Sequence, residues 1–280
     1  MKPLEGKIAV VTGASRGVGK GIALGLGEAG ATVYVTGRTT EEGHGPEKLP
    51  GTIHATAEEV SALGGKGIAL RCDHRNDQET KAIFQRVIAE TGRINILANA
   101  AWGGYEGMIE NGEFTWTQPF WKQPLWRWDP MFDAGVRACF VASAIAARTM
   151  VAQKSGLIVN VSFWASQKHI GNVAYGAAKA ATDKMTRDMA EELRAYNVVV
   201  VSLYPGLVRT EGVMRFAQFL DLSNSESPRF IGRTVAALAG DPEIVQRTGQ
   251  VLVAAQLAAG YGLADIDGKR PKPLTLDSVR

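Results

Sequence analysis

Four histidines and two cysteines are all that this 280-residue sequence offers to a metal or a disulfide framework. His44, His54, His74 and His169 fall at no ligand spacing, so no metal is expected. Cys72 and Cys139 sit among apolar residues and read as reduced, buried thiols. Charge is nearly balanced, 31 Lys and Arg against 28 Asp and Glu, and no basic run exists, which excludes nucleic acid as an expected partner. No apolar run reaches membrane-spanning length, and the opening Met-Lys-Pro-Leu-Glu-Gly-Lys leads straight into a strand pattern without a targeting segment. Together these absences predict a soluble, cytoplasmic protein with no membrane partner. No linker or repeat divides the chain, so residues 1–280 are expected to form one domain, a size open α/β sheets reach as single units.

What the sequence does have is alternation. Short β-branched runs exchange with helix-length amphipathic stretches, the pattern of an α/β fold with a doubly wound parallel sheet and helices on both faces. Seven strands are predicted, at Ile8–Thr12, Thr32–Thr36, Lys66–Cys72, Ile94–Ala98, Gly156–Ser162, Val198–Leu203 and Gln250–Ala254. Helices are predicted at Gly17–Ala29, Ala55–Leu63, Asp77–Glu90, Pro124–Gln153 and Asn172–Tyr196, with a loop from Thr39 to Gly51.

Directly after the first strand comes Thr12-Gly13-Ala14-Ser15-Arg16-Gly17-Val18-Gly19, opening a helix. Glycines at a strand-to-helix turn let a pyrophosphate approach backbone amides where the helix dipole favours negative charge. Position makes the signal specific: the cluster lies in the first βαβ unit. The second strand ends Thr36-Gly37-Arg38, with no carboxylate to accept from an adenosine 2′-hydroxyl. Arg38 and Arg16 are instead expected to face a 2′-phosphate, which a planar guanidinium matches bidentately. NADP(H) is therefore preferred over NAD(H).

Tyr175-Gly176-Ala177-Ala178-Lys179 lies in a predicted helix, and a spacing of four puts both side chains on one face. An ammonium so placed is expected to lower the tyrosine pKa and fit the phenol for acid–base work.

These motifs, in this order, resemble the short-chain dehydrogenase/reductase family over residues 4–255, together with Asp73 after the third strand, Ala98-Asn99-Ala100-Ala101 after the fourth and Pro205-Gly206 after the sixth. Within the family the chain is more similar to the branch of dehydrogenase/reductase family member 1, which shares the Asn-Val-x-Tyr-Gly approach to the tyrosine and the tail from Tyr261 to Gly268. The resemblance implies a Rossmann-type fold and an oxidoreductase that reduces a ketone or aldehyde with NADPH, or runs the reverse. Tyr175 would exchange the proton with the substrate oxygen, and Lys179 would hold the nicotinamide ribose. Asp73 and the adjacent His74 would contact adenine, and Asn99 would lie beside a ribose. Pro205, Gly206, Val208 and Thr210 would hold the carboxamide and pyrophosphate region, alongside the loop residues Gly13, Ser15, Arg16, Gly17, Val18 and Gly19. The family's assembly habit implies a homodimer or homotetramer.

Two departures stand out. The family's relay asparagine aligns with Gly135. Its substrate-oxygen serine aligns with Phe163 counting along the strand, or with Ser162 counting thirteen back from Tyr175; Ser162 is taken as the catalytic serine. Weaker oxygen chemistry leaves two alternatives open: reduction of a C=N bond in a cyclic imine, and a non-catalytic NADP(H)-binding regulator.

Five of the six tryptophans fall in one aromatic-rich insertion, residues 102–130. Connections at strand C-termini border the ligand crevice, so Trp102, with Phe163, Trp164 and Met214, is expected to line a pocket for a bulky apolar or cyclic small-molecule substrate. The extension 254–280 is expected either to cap the site or to reach a neighbouring subunit.

Overall fold

The structure is a computed structural model and describes residues 2–110 and 113–279. Strands β1 (Ile8–Thr12), β2 (Thr32–Gly37), β3 (Lys66–Arg71), β4 (Ile96–Asn99), β7 (Gly156–Val161), β8 (Val198–Tyr204) and β9 (Val251–Val253) form one sheet. Its order is β3-β2-β1-β4-β7-β8-β9, and every pairing is parallel. The order reverses between β1 and β4, the switch point at which such sheets open a ligand crevice.

The strands read as continuous apolar runs because both faces are covered. Ala9, Val11, Val33, Val35, Val199 and Val201 meet one layer, built from α1 (Gly17–Glu28), α2 (Ile53–Ala62), α8 (Pro228–Ala239) and α9 (Ala254–Gly260). Val10, Tyr34, Val198 and Val200 meet the other, built from α3 (Asp77–Thr91), α5 (Ala138–Gln153) and α6 (Val173–Leu193). Alternate residues of one strand thus feed two cores, as the pleat requires.

Where boundaries differ from the sequence expectation, a side chain is responsible. Helix α2 begins at Ile53, two residues early, because the Thr52 hydroxyl accepts from the Ala55 amide and caps it. Strand β4 begins at Ile96, not Ile94, because the Gln153 side-chain amide takes both the N–H and the carbonyl of Ile94.

The long helix departs most. It is continuous over Leu125–Gln153, but it starts as a 3-10 turn, passes through α4 (Trp128–Pro130) and becomes π-helical over Met131–Arg137 before α5. By length and composition alone this run is apolar enough to cross a membrane, contrary to the sequence expectation. Its inner residues Ala142, Ala146 and Met150 are buried against the sheet, the packing of a sheet-flanking helix. Before it, the aromatic insertion holds a small antiparallel pair, β5 (Ile109–Glu110) and β6 (Glu113–Phe114).

The C-terminal segment folds onto its own chain. Asp265 is buried and accepts from the Ser227 amide at 2.8 Å, from the Ser227 hydroxyl, and from Arg209 at 3.1 Å. Further on, the carbonyls of Leu276 and Val279 accept from Lys168.

Candidate active site

The glycine turn is assembled by close backbone contact. Gly13 has φ +65°, and a Cβ there would stand 2.6 Å from Ala101 Cα; a Cβ on Gly19 would stand 2.3 Å from the Gly13 carbonyl oxygen. No side chain fits either place, so the turn is drawn tight against the β4 exit, where the Thr12 hydroxyl accepts from the amides of Ala100 and Ala101. At the mouth of this turn the Gly17 amide, at the start of α1, donates to the Glu211 carboxylate at 2.8 Å. A carboxylate oxygen here stands where a phosphate oxygen would, so the turn fits a pyrophosphate on its own evidence. Ser15 is buried beneath it, and Val18 is half-buried and packs on the core.

The two guanidiniums are not equivalent. Arg16 is drawn away by three carbonyls, those of Pro50 at 3.0 Å, Gly51 at 2.7 Å and Leu49 at 3.4 Å. Burial pushes its pKa down, and the neighbouring Arg38 charge adds to that. Arg38 is exposed and has no ion-pair partner among the described residues. The expectation of two free forks is therefore corrected to one, Arg38.

Asp73 is held in the fork of Arg75 at 2.6 Å, which pulls its carboxyl down to about 2. The His74 ring points into the core, 2.7 Å from the Thr36 hydroxyl, so only the backbone of His74 is left for an adenine. Asn99 is also turned inward: its amide donates to Ser143 at 2.9 Å and to Asn160 at 2.8 Å. It pins the ends of β4 and β7 to α5, while its buried Oδ1 has no hydrogen-bond partner among the described residues.

Pro205 and Gly206 follow β8, and the Gly206 amide donates to the buried Glu226 carboxylate at 2.7 Å. Val208 is buried and bridges to Glu226, while the Thr210 hydroxyl caps α7 (Glu211–Met214). Met214 is half-exposed on α7.

Glu226 and His74 have opposite consequences for stability. Burial pushes His74 from 6.5 down to about 4, opposed by Asp73 and Glu79. The unfolded chain therefore binds a proton that the folded chain refuses, and stability falls as pH drops from 6.5 toward 4. Burial pushes Glu226 from 4.5 up to about 7, opposed by the Gly206 amide and Arg209 and reinforced by Asp265. Here the folded chain takes the proton first, and stability rises as pH drops from 7 toward 4.5. Single replacements should expose each slope. Between pH 7 and 5, His74→Asn is expected to gain stability on acidification and Glu226→Gln to lose it, each by roughly 1 kcal/mol per pH unit. Urea midpoints at three pH values measure this; parallel curves for both variants would contradict it.

Tyr175 and Lys179 lie on one face of α6, capped by the Asn172 side chain, which accepts from the Tyr175 amide. Both are buried at the exit of β7, where the Lys179 ammonium donates to the Val161 carbonyl at 3.2 Å. The ammonium also rests 3.9 Å above the Trp102 ring centroid. This placement departs from the sequence expectation. With the cation on the indole, burial pushes the Tyr175 phenol well above its ordinary value, and the adjacent Tyr105 pushes it further. Lys179 is pushed down to about 8 by burial, opposed by Asp183 one turn along.

Ser162 and Phe163 have different neighbours. Ser162 is buried and its hydroxyl donates to the Lys179 carbonyl at 3.3 Å, away from the Tyr175 hydroxyl. Phe163 points the other way, its ring centroid 6.4 Å from that of Tyr175. Of the two side chains, Phe163 is the one that packs beside the Tyr175 ring. Gly135 lies in the π-helical turn, and a Cβ there would stand 2.5 Å from the Trp102 ring. The indole thus occupies the room a side chain at 135 would need.

Trp102, Tyr105 and Trp116 surround Tyr175, with centroids at 5.5, 5.9 and 5.5 Å. Trp164 turns instead to Tyr204, at 5.2 Å. The insertion is held by Arg127, buried with no ion-pair partner among the described residues, which donates to the carbonyls of Gly107 and Thr115 and to the Thr115 and Gln123 side chains.

Sequence reasoning missed four residues. Asp183 had a signal, standing four residues after Lys179; its carboxylate accepts from the Tyr204 hydroxyl. Tyr105, Glu211 and Glu226 had no local spacing to mark them, since each meets a partner twenty or more residues away in sequence.

The comparisons agree with this architecture. The family model for short chain dehydrogenase matches residues 7–220. The chain is 41% identical to the Mus musculus protein dehydrogenase/reductase SDR family member 1, covering 96% of this chain and 86% of that one. For the Homo sapiens protein of that name the figures are 38%, 99% and 89%. The crystal structure of a metagenomic short-chain oxidoreductase in complex with NADP matches with a TM-score of 0.69 and 30% identity, covering 90% of this chain and 97% of that one. A glycine turn after β1 and a buried Tyr–Lys pair at the exit of β7, on a sheet of this order and with relatives this similar along nearly the whole chain, make this protein a member of the short-chain dehydrogenase/reductase family.

Proposed function

We propose that this chain reduces a ketone or aldehyde with NADPH, or catalyses the reverse oxidation, on a bulky apolar or cyclic small molecule. One observation carries the reading: a phenol kept protonated by burial, Tyr175, stands beside Lys179 at the exit of β7, in a sheet whose first strand leads into the glycine turn. A protonated phenol is the form that gives a proton to a carbonyl oxygen. Reduced nicotinamide, when bound, supplies the hydride that the carbonyl carbon accepts. Gly13, Ser15, Gly17, Val18 and Gly19 would hold its pyrophosphate, and the stretch from Pro205 to Thr210 its carboxamide side. Lys179 would bind the ribose and restore a proton to Tyr175, with Asp183 favouring its charged form. Trp102, Trp116 and Phe163 offer an apolar wall for a ring-bearing substrate.

The same reading takes NADP(H) over NAD(H), supported by the free Arg38 fork and the absence of an acid at the end of β2. Arg38→Glu is expected to weaken NADPH binding by about 10- to 100-fold while changing NADH binding little, the scale of one charge-assisted contact. Titration of both nucleotides measures it, and equal losses for the two would contradict it. A cytoplasmic homodimer or homotetramer is also proposed; the half-exposed Phe140 on α5 supports a subunit contact there.

The test is a nucleotide-oxidation screen across ketones, aldehydes and cyclic imines with NADPH and NADH. Ketone or aldehyde turnover with NADPH is expected. The absence of serine at Phe163 favours imines as the second reading, and turnover of imines alone would put it first. No turnover of any kind would leave a nucleotide-binding regulator.

A further inference from the structure

We propose that Tyr105 is a catalytic residue whose hydroxyl gives the second hydrogen bond to the substrate oxygen, in place of the serine that Phe163 displaces. The inference rests on the carbonyl-reduction reading above and names how that chemistry is completed.

A carbonyl oxygen gaining negative charge is stabilised when two donors converge on it. Tyr175 is one. Ser162 is spent on the Lys179 carbonyl, and Phe163 presents only a ring. Among the described residues, the one side-chain hydrogen bond made by the Tyr175 hydroxyl is to Tyr105, at 3.2 Å. Two hydroxyls at that separation can both reach a third oxygen at ordinary hydrogen-bond length.

Tyr105 is fixed rather than adventitious. Its ring lies 5.7 Å from Trp102 and 5.7 Å from Trp116. The preceding Gly104 has φ +99° and packs so closely that a Cβ would stand 2.5 Å from Met131, in the π-helical turn. Its amide donates to Glu106 at 2.6 Å. Tyr105 is 47% exposed while its hydroxyl meets that of the buried Tyr175, so it forms part of the wall a substrate would pass. In reduction the carbonyl carbon accepts hydride and its electron pair from bound NADPH, which becomes NADP⁺. The C=O π pair moves to oxygen, and the Tyr175 proton joins it to give the alcohol. Tyr105 keeps its proton throughout.

The experiment compares wild type, Tyr105→Phe and the double variant Tyr105→Phe/Phe163→Ser on a ketone turned over by wild type. Tyr105→Phe is expected to lower kcat by roughly 10²- to 10³-fold, the scale for one lost oxyanion donor, with NADPH affinity unchanged. The added serine is expected to restore about tenfold or more of it. Wild-type turnover with Tyr105→Phe within threefold would overturn the inference and leave the carbonyl reading intact. Loss of kcat with no recovery from serine would assign Tyr105 to packing and also overturn it. Wild type inactive on every carbonyl would remove both.

Discussion

Tyr175→Phe is expected to lower kcat for carbonyl reduction by about 10³-fold while leaving NADPH affinity within a few-fold, since positioned proton transfer contributes on that scale. The substitution removes one oxygen and leaves the ring, whose four aromatic neighbours hold it in place. Protein fluorescence should therefore change little, and nucleotide binding, which draws mainly on the glycine turn, should persist. Turnover near wild-type level in this variant would remove Tyr175 as the proton donor and with it the proposed reaction.

The second large effect concerns stability. Gly232→Ala is expected to destabilise the protein by about 3 kcal/mol, at the upper end of overpacking costs, and to lower Tm by roughly 5–10 °C for a chain of this size. Helices α1 and α8 touch backbone to backbone. A Cβ on Gly232 would stand 1.8 Å from the Gly21 carbonyl oxygen, and one on Gly21 would stand 1.9 Å from the Pro228 carbonyl oxygen. Helix propensity alone favours alanine by up to about 1 kcal/mol, so the two effects predict opposite signs and a measurement decides. Contact wins here because neither wall has a side chain that can move aside. Gly260→Ala is the control: nothing lies within 4 Å of a Cβ there, and its Tm should hold or rise slightly. Thermal melts of both variants test the claim, and a Gly232→Ala protein as stable as wild type would refute it.

Much of the fold could be read from the sequence because strands covered on both faces declare themselves as β-branched runs, as Val198–Tyr204 does. The glycine turn and the Tyr175–Lys179 pair were legible for a related reason: each is set by spacing within one turn or one helix. Contacts that depend on a third element were not. The capture of Arg16 by residues 49–51 depends on a loop without periodicity. The choice between Ser162 and Phe163 turns on a single pleat, and two ways of counting gave different answers. Tyr105 reaches Tyr175 across seventy residues of sequence, a meeting made by the aromatic packing of the insertion and invisible to local pattern. The inward turn of Asn99 likewise follows from partners on β7 and α5.

The shared space of Gly135 and Trp102 also limits how this protein can change. A chain that regained asparagine at 135 first would drive its side chain into an indole 2.5 Å from the new Cβ. A chain that shrank Trp102 first would strip Lys179 of the aromatic face beneath it. The two positions are therefore passable only as a pair, and grafting the usual relay residue into this scaffold one codon at a time should yield a poorer protein at either intermediate. Descendants that keep the indole inherit the glycine with it.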